Sequence, residues 1–167
     1  MQEINRAITE RIYKKILPEK VIVIVGARRT GKTFLIQKLK TRLEKKEKCL
    51  LLNGEELLIN KSIEQYRSII GNNKILIIDE AQKIQQIGRI LKLMIDELED
   101  LKIIVTGSSA FDLSNKVGEP LTGRKFTFML FPIAQCELIL QENLIQTRSN
   151  LEERMIFGSY PEIFKYT

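Results

Sequence analysis

The sequence predicts an α/β fold in which a five-stranded parallel sheet is flanked by helices. Three observations carry this. Short runs rich in apolar residues recur at Val21–Val25, Lys48–Asn53, Lys74–Ile78, Leu101–Thr106 and Lys125–Leu130. Segments of helical character separate them, and strands that alternate with helices imply a parallel sheet with helices on both faces. The first run passes directly into Gly26-Ala27-Arg28-Arg29-Thr30-Gly31-Lys32-Thr33, a glycine-bounded loop between a strand and a helix.

The elements follow in order. Ile4, Ile8, Ile12 and Ile16 recur every four residues with Leu17 beside the last, an amphipathic pattern that Pro18 ends. This helix is expected to pack on the domain ahead of the first strand. Val21–Val25 is five consecutive β-branched residues and reads as a strand buried on both faces. Phe34–Lys48 is helix-prone. Lys48–Asn53 reads as a second buried strand, stopped by Asn53-Gly54. Ile59–Ile70 is a weak helix closed by Gly71-Asn72-Asn73, and Lys74–Ile78 is a third buried strand. Ile84, Ile87, Leu91, Met94 and Leu98 step by three and four, which predicts one apolar face on a helix from Lys83 to Glu99. Leu101–Thr106 is a fourth strand. A polar stretch leads through Leu121-Thr122-Gly123-Arg124 to an alternating fifth strand, Lys125–Leu130. Pro132 opens a helix expected to reach Asn143, and Leu151–Phe157 is a further short helix.

Composition narrows the function classes. The chain has 167 residues, 44% hydrophobic and 29% charged, which suits one globular domain or one domain and a fragment. It contains two cysteines, Cys49 and Cys136, and no histidine. Cysteine-rich zinc or disulfide frameworks are therefore excluded, as are Ser-His and Cys-His nucleophiles, and the cytoplasm is the expected compartment. No apolar run reaches the roughly 20 residues that span a bilayer, so no membrane partner is expected. Glu3, Arg6, Glu10 and Arg11 interrupt any signal-like apolar core. The formal net charge is +6, which permits contact with nucleic acid. Much of it is local: Lys38, Lys40, Arg42, Lys45, Lys46 and Lys48 crowd the end of the second helix. Cations there complement the helix dipole, so a solvated helix end is the favoured reading.

The pattern G-x-x-x-x-G-K-T predicts a phosphate site. Gly26 and Gly31 let backbone N–H groups turn inward as a nest, and the following helix offers its positive end to the same anion. Gly26, Ala27, Arg28, Arg29, Thr30, Gly31, Lys32, Thr33 and Phe34 are the candidate nucleotide-contacting residues. Lys32 is expected to reach the β- and γ-phosphates, and the Thr33 hydroxyl to bind Mg²⁺. Ile75-Leu76-Ile77-Ile78-Asp79-Glu80 delivers two carboxylates at the carboxyl end of a strand, where open α/β sheets bind ligands. Asp79 is the second candidate for the metal. Glu80 is the candidate base for the water that attacks the γ-phosphate. Thr106 and Ser108 stand at the tip of the next strand, where a hydroxyl can contact the γ-phosphate or the water; the alternative is a helix cap.

Taken together, Gly26–Thr33, Ile75–Glu80, Val105-Thr106-Gly107-Ser108-Ser109 and Leu121-Thr122-Gly123-Arg124 resemble the AAA+-type ATPase domain of a widespread prokaryotic P-loop ATPase family. In that family the domain precedes a C-terminal domain often described as nuclease-like. Leu130-Phe131-Pro132-Ile133 with the nearby Glu137 resembles its Leu-x-Pro segment, and Gly158-Ser159-Tyr160-Pro161-Glu162 its Gly-Gly-Tyr-Pro-Glu motif. The resemblance implies a P-loop NTPase fold with the start of a helical lid. It implies ATP as ligand, Thr106 or Ser108 as sensor, and Pro161 near the adenine. It also implies Arg124 as a γ-phosphate contact in cis or from a neighbour. An ion pair holding the last strand is the competing reading of Arg124. On this reading residues 1–146 form the ATPase domain with its N-terminal helix, and 147–167 begin a truncated lid or second domain. The implied partners are ATP and ADP, the missing C-terminal domain in cis, a nucleic acid or protein, and a second copy of the chain.

Three other functions fit these residues less well. A GTPase needs Asn-Lys-x-Asp, and neither Asn60-Lys61-Ser62-Ile63 nor Asn115-Lys116-Val117-Gly118 supplies the Asp. A small-molecule kinase has less use for Glu80. A non-catalytic nucleic-acid- or protein-binding module leaves the paired phosphate and metal motifs unexplained.

Overall fold

The computed structural model describes residues 4–57, 62–108, 120–139 and 141–165. The elements are α1 (Ile8–Tyr13), β1 (Val21–Val25), α2 (Lys32–Leu43), β2 (Cys49–Asn53), α3 (Ile63–Ile70), β3 (Ile75–Asp79), α4 (Ile87–Glu97), β4 (Lys102–Gly107), β5 (Lys125–Met129), α5 (Gln135–Leu138), α6 (Leu144–Ser149) and α7 (Leu151–Phe157). All five strands are parallel, in the order β2-β3-β4-β1-β5.

β1 lies between β4 and β5 and is wholly buried, as its unbroken β-branched run requires. Its side chains alternate between two cores. Val21, Val23 and Val25 join Leu76, Ile78, Val105 and the apolar faces of α3 and α4. Ile22 and Ile24 join Ile75, Ile77 and Ile104 under α1 and α2, through Ile12, Leu35, Ile36 and Leu39. Each such aliphatic side chain contributes about 1.5–3 kcal/mol on burial, so the strand is fixed from both sides. Among the described residues no helix is long and apolar enough to cross a membrane.

Several boundaries differ from expectation. β2 is an edge strand and only half-buried, because β3 covers one side alone. α2 stops at Leu43, where Lys46 and Glu47 both donate to the Leu43 carbonyl, and Lys102 holds the Glu47 carboxylate at 2.6 Å. α3 begins after Ser62, whose side chain and that of Gln65 form a reciprocal cap. The expected start at Ile59, the polar stretch and Ser109 lie outside the described residues. α4 begins at Ile87 because Gln86 is left-handed, with φ 52°. Ile84 is nevertheless buried in the same core, after a short 3-10 turn at Ala81–Lys83. The expected helix from Pro132 to Asn143 is replaced by α5 and α6. Ile133 is drawn off by a hydrogen bond to Ser159 O at 2.7 Å, and Asn143 starts a new helix by capping Gln146 N at 2.9 Å.

Candidate functional site

β1 delivers the glycine-bounded loop to the carboxyl edge of the sheet. Gly26 is required for a reason the motif does not show. A Cβ there would lie 2.3 Å from the Leu130 carbonyl oxygen, because Leu130 N donates to Val25 O at 2.7 Å and brings the end of β5 against the loop. Gly31 caps α2 with φ 91°, a left-handed conformation that favours glycine, and Arg29 is also left-handed at φ 66°. The buried Thr30 hydroxyl donates to Ala27 O at 2.9 Å and closes the loop on itself. Lys32 folds back into it, donating to Gly26 O at 2.9 Å and Ala27 O at 2.8 Å. Burial pushes the Lys32 ammonium below the usual lysine range, and the carboxylates of Glu80 and Asp79 oppose that shift.

The tip of β3 faces this loop. Asp79 Oδ2 accepts from the Thr33 hydroxyl at 2.8 Å. Its other oxygen accepts from the Thr106 hydroxyl and, at 3.1 Å, from Glu80 N. Thr106 is fully buried, and its oxygen also accepts from Glu80 N at 3.1 Å. Glu80 is left-handed, with φ 56° and ψ 41°, which turns the chain out of the strand at that residue. Its carboxylate accepts from Gln82 Nε2 at 2.5 Å, and the same nitrogen lies 3.0 Å from Ser108 Oγ. Gly54 lies under this turn, where a Cβ would sit 2.4 Å from Glu80 O.

The two ends of the described chain complete the cleft. Pro161 packs on Gly31, its Cγ 3.6 Å from where a Cβ would stand, and Glu162 pairs with Arg29 at 3.1 Å. Arg6 reaches the Thr30 carbonyl at 2.8 Å. The resulting cavity of about 750 Å³ is lined by Arg28, Lys32, Thr33, Glu80, Ile133 and Pro161, among others, with Phe34 half-exposed at its wall. A cavity of that size is within the range of small-molecule and cofactor sites.

Arg124 is not brought to this cleft. Its carbonyl accepts from Val21 N at 2.9 Å, at the opposite end of β1 from Gly26. Five residues of strand separate the two levels, about 16 Å at about 3.3 Å each. Its guanidinium pairs with Asp96 at the end of α4, and both side chains are substantially exposed.

Sequence reasoning missed Arg6, Gln82 and Glu162 as neighbours of the cleft. Gln82 follows the carboxylate pair by two positions, a faint local signal. Glu162 directly follows Pro161 in the Gly158–Glu162 motif, which is the signal that could have found it, whereas Arg6 carries none, since its placement depends on the N-terminal segment folding back over the loop.

A parallel sheet with a G-x-x-x-x-G-K-T loop at the carboxyl end of an inner strand, facing a strand-end aspartate, defines the P-loop NTPase class. A family model described as an AAA domain matches residues 18–139, and the chain belongs to that family. It is thus a nucleotide-binding, ATPase-like domain. An uncharacterized protein of Methanocaldococcus jannaschii is 27% identical over 175 aligned positions, covering 95% of this chain and 39% of that protein. The chain therefore spans less than half the length of this curated relative.

Proposed function

We propose that the chain binds ATP with Mg²⁺, hydrolyses it, and uses the cycle to switch a C-terminal domain in cis or a macromolecular partner. The observation that carries this is the Thr33–Asp79 contact at 2.8 Å beside Lys32. It joins a hydroxyl and a carboxylate, two hard oxygen donors of the kind Mg²⁺ accepts alongside phosphate and water. Thr33 and Asp79 are the residues that would hold the ion. When bound, it would neutralise charge on the β- and γ-phosphates.

The protein's own groups do the rest. Lys32 exchanges its two carbonyl acceptors for phosphate oxygens, which relieves a cation held against neutral partners. Arg28 and Arg29 add positive charge at the cleft wall. Glu80 takes the proton of the attacking water as its oxygen adds to the γ-phosphorus and the bond to the bridging oxygen breaks. Gln82, tied to Ser108, orients the Glu80 carboxylate. Thr106 acts by fixing Asp79 and the Glu80 backbone, since its buried hydroxyl is already engaged there. Pro161 and Ile133 offer apolar surface for the base. Arg124 serves β5 and α4 through Asp96 and takes no part in its own site. Titration of the purified chain with ATP and GTP, with and without Mg²⁺, tests the assignment.

A further inference from the structure

Arg6 is a charged side chain with only 9% exposure, and it carries more hydrogen bonds than any solvated arginine needs. Nε donates to Glu137 Oε2 at 3.0 Å, Nη1 to Thr30 O at 2.8 Å, and Nη2 to Phe131 O at 2.5 Å. Glu137 is itself buried, at 6%, and accepts from Ala7 N at 2.7 Å and Ala134 N at 2.9 Å. A planar guanidinium suits this set because its donors form a rigid fork. The fork is therefore anchored on two sides and presents its third to the phosphate loop.

We propose that Arg6 is a positioning residue for phosphate, acting by fixing the Thr30–Gly31 peptide. This rests on reading the cleft as a nucleotide site. There are no cis peptide bonds among the described residues, and in a planar trans peptide the C=O and N–H point in opposite directions. Arg6 holds the Thr30 carbonyl outward and so turns the Gly31 N–H away from itself, toward the loop interior. Gly31 is left-handed, a region open to glycine, so the Arg6 fork adds a restraint on that peptide plane beside the local bond from the Thr30 hydroxyl to Ala27 O. Glu137, remote in sequence from the loop, acts one step further back by holding Arg6.

The test uses Arg6→Lys, which keeps the charge and loses the fork, and the double variant Arg6→Met/Glu137→Gln, which leaves no buried charge unpaired. Affinity for Mg-ATP and for Mg-pyrophosphate is measured with thermal melting of each protein. The expected result is a loss of about tenfold for both ligands, the size of one charge-assisted hydrogen bond, in variants that still melt cooperatively. Pyrophosphate has no base, so an equal loss places the effect at the phosphates. Loss for ATP with pyrophosphate unchanged would overturn the proposal, as would wild-type affinity for both. Should neither variant fold, the Gly31 amide resonance of the wild type decides: it shifts when pyrophosphate is added if its N–H faces the anion, and an unmoved resonance overturns the proposal. A wild type that binds neither ligand overturns the nucleotide reading itself, a different outcome from a binding wild type with unimpaired variants.

Discussion

The Thr33 hydroxyl donates to Asp79 Oδ2 at 2.8 Å, joining the first turn of α2 to the end of β3. These two elements belong to different crossovers, and only the parallel sheet brings their ends together. Asp79→Asn keeps the shape and removes the charge. Mg²⁺ should tighten ATP binding in the wild type and have little effect in this variant, as read by calorimetry with and without chelator. A variant with wild-type Mg²⁺ dependence would remove Asp79 from the metal site.

Glu80→Gln separates binding from chemistry. Its carboxylate is held by Gln82 and its backbone by Thr106, so the amide should occupy the same place. ATP affinity should stay within about twofold while turnover falls by about 100-fold, the usual share of a general base. Phosphate release in an active preparation measures this, and equal turnover would deny Glu80 the role.

Gly26→Ala tests why the loop begins with glycine. The added methyl would meet a backbone carbonyl at 2.3 Å, which cannot rotate away as a side chain would. The expected cost is about 3 kcal/mol, the upper end of overpacking penalties, seen in urea unfolding without nucleotide. A near-neutral effect would mean that β5 yields easily.

Arg124→Ala should leave ATP affinity unchanged and cost no more than about 1 kcal/mol, since the pair with Asp96 is substantially exposed and water screens it. Asp96→Ala should cost about the same. A large loss of turnover that appears only as protein concentration rises would show instead that Arg124 serves a neighbouring copy.

Much of the fold was legible because burial leaves a periodic trace. Val21–Val25 and Leu151–Phe157 match their elements residue for residue. Ile84 shows where periodicity stops being informative. It is buried as its spacing implies, yet the helix starts three residues later because Gln86 adopts a left-handed backbone that no apolar pattern records. The phosphate loop and the Asp79-Glu80 pair could be read because their chemistry fixes residue type at short spacing. Gly26 and Gly54 read as turn residues, but both are glycine because a carbonyl from a distant segment passes within 2.4 Å of their missing Cβ. Glu137 could be noted beside the Leu130–Ile133 segment, but its pairing with Arg6 was beyond reach, since the two are far apart in sequence and meet by tertiary approach alone.

The most direct measurement is titration of the wild type and of Lys32→Ala with ATP and GTP in the presence of Mg²⁺. The expected result is that the wild type binds ATP at least as well as GTP, and that Lys32→Ala loses about tenfold or more, as removal of a charged phosphate contact requires. Unchanged affinity in Lys32→Ala, or a wild type that prefers GTP or binds neither nucleotide, would contradict the assignment of this cleft to ATP.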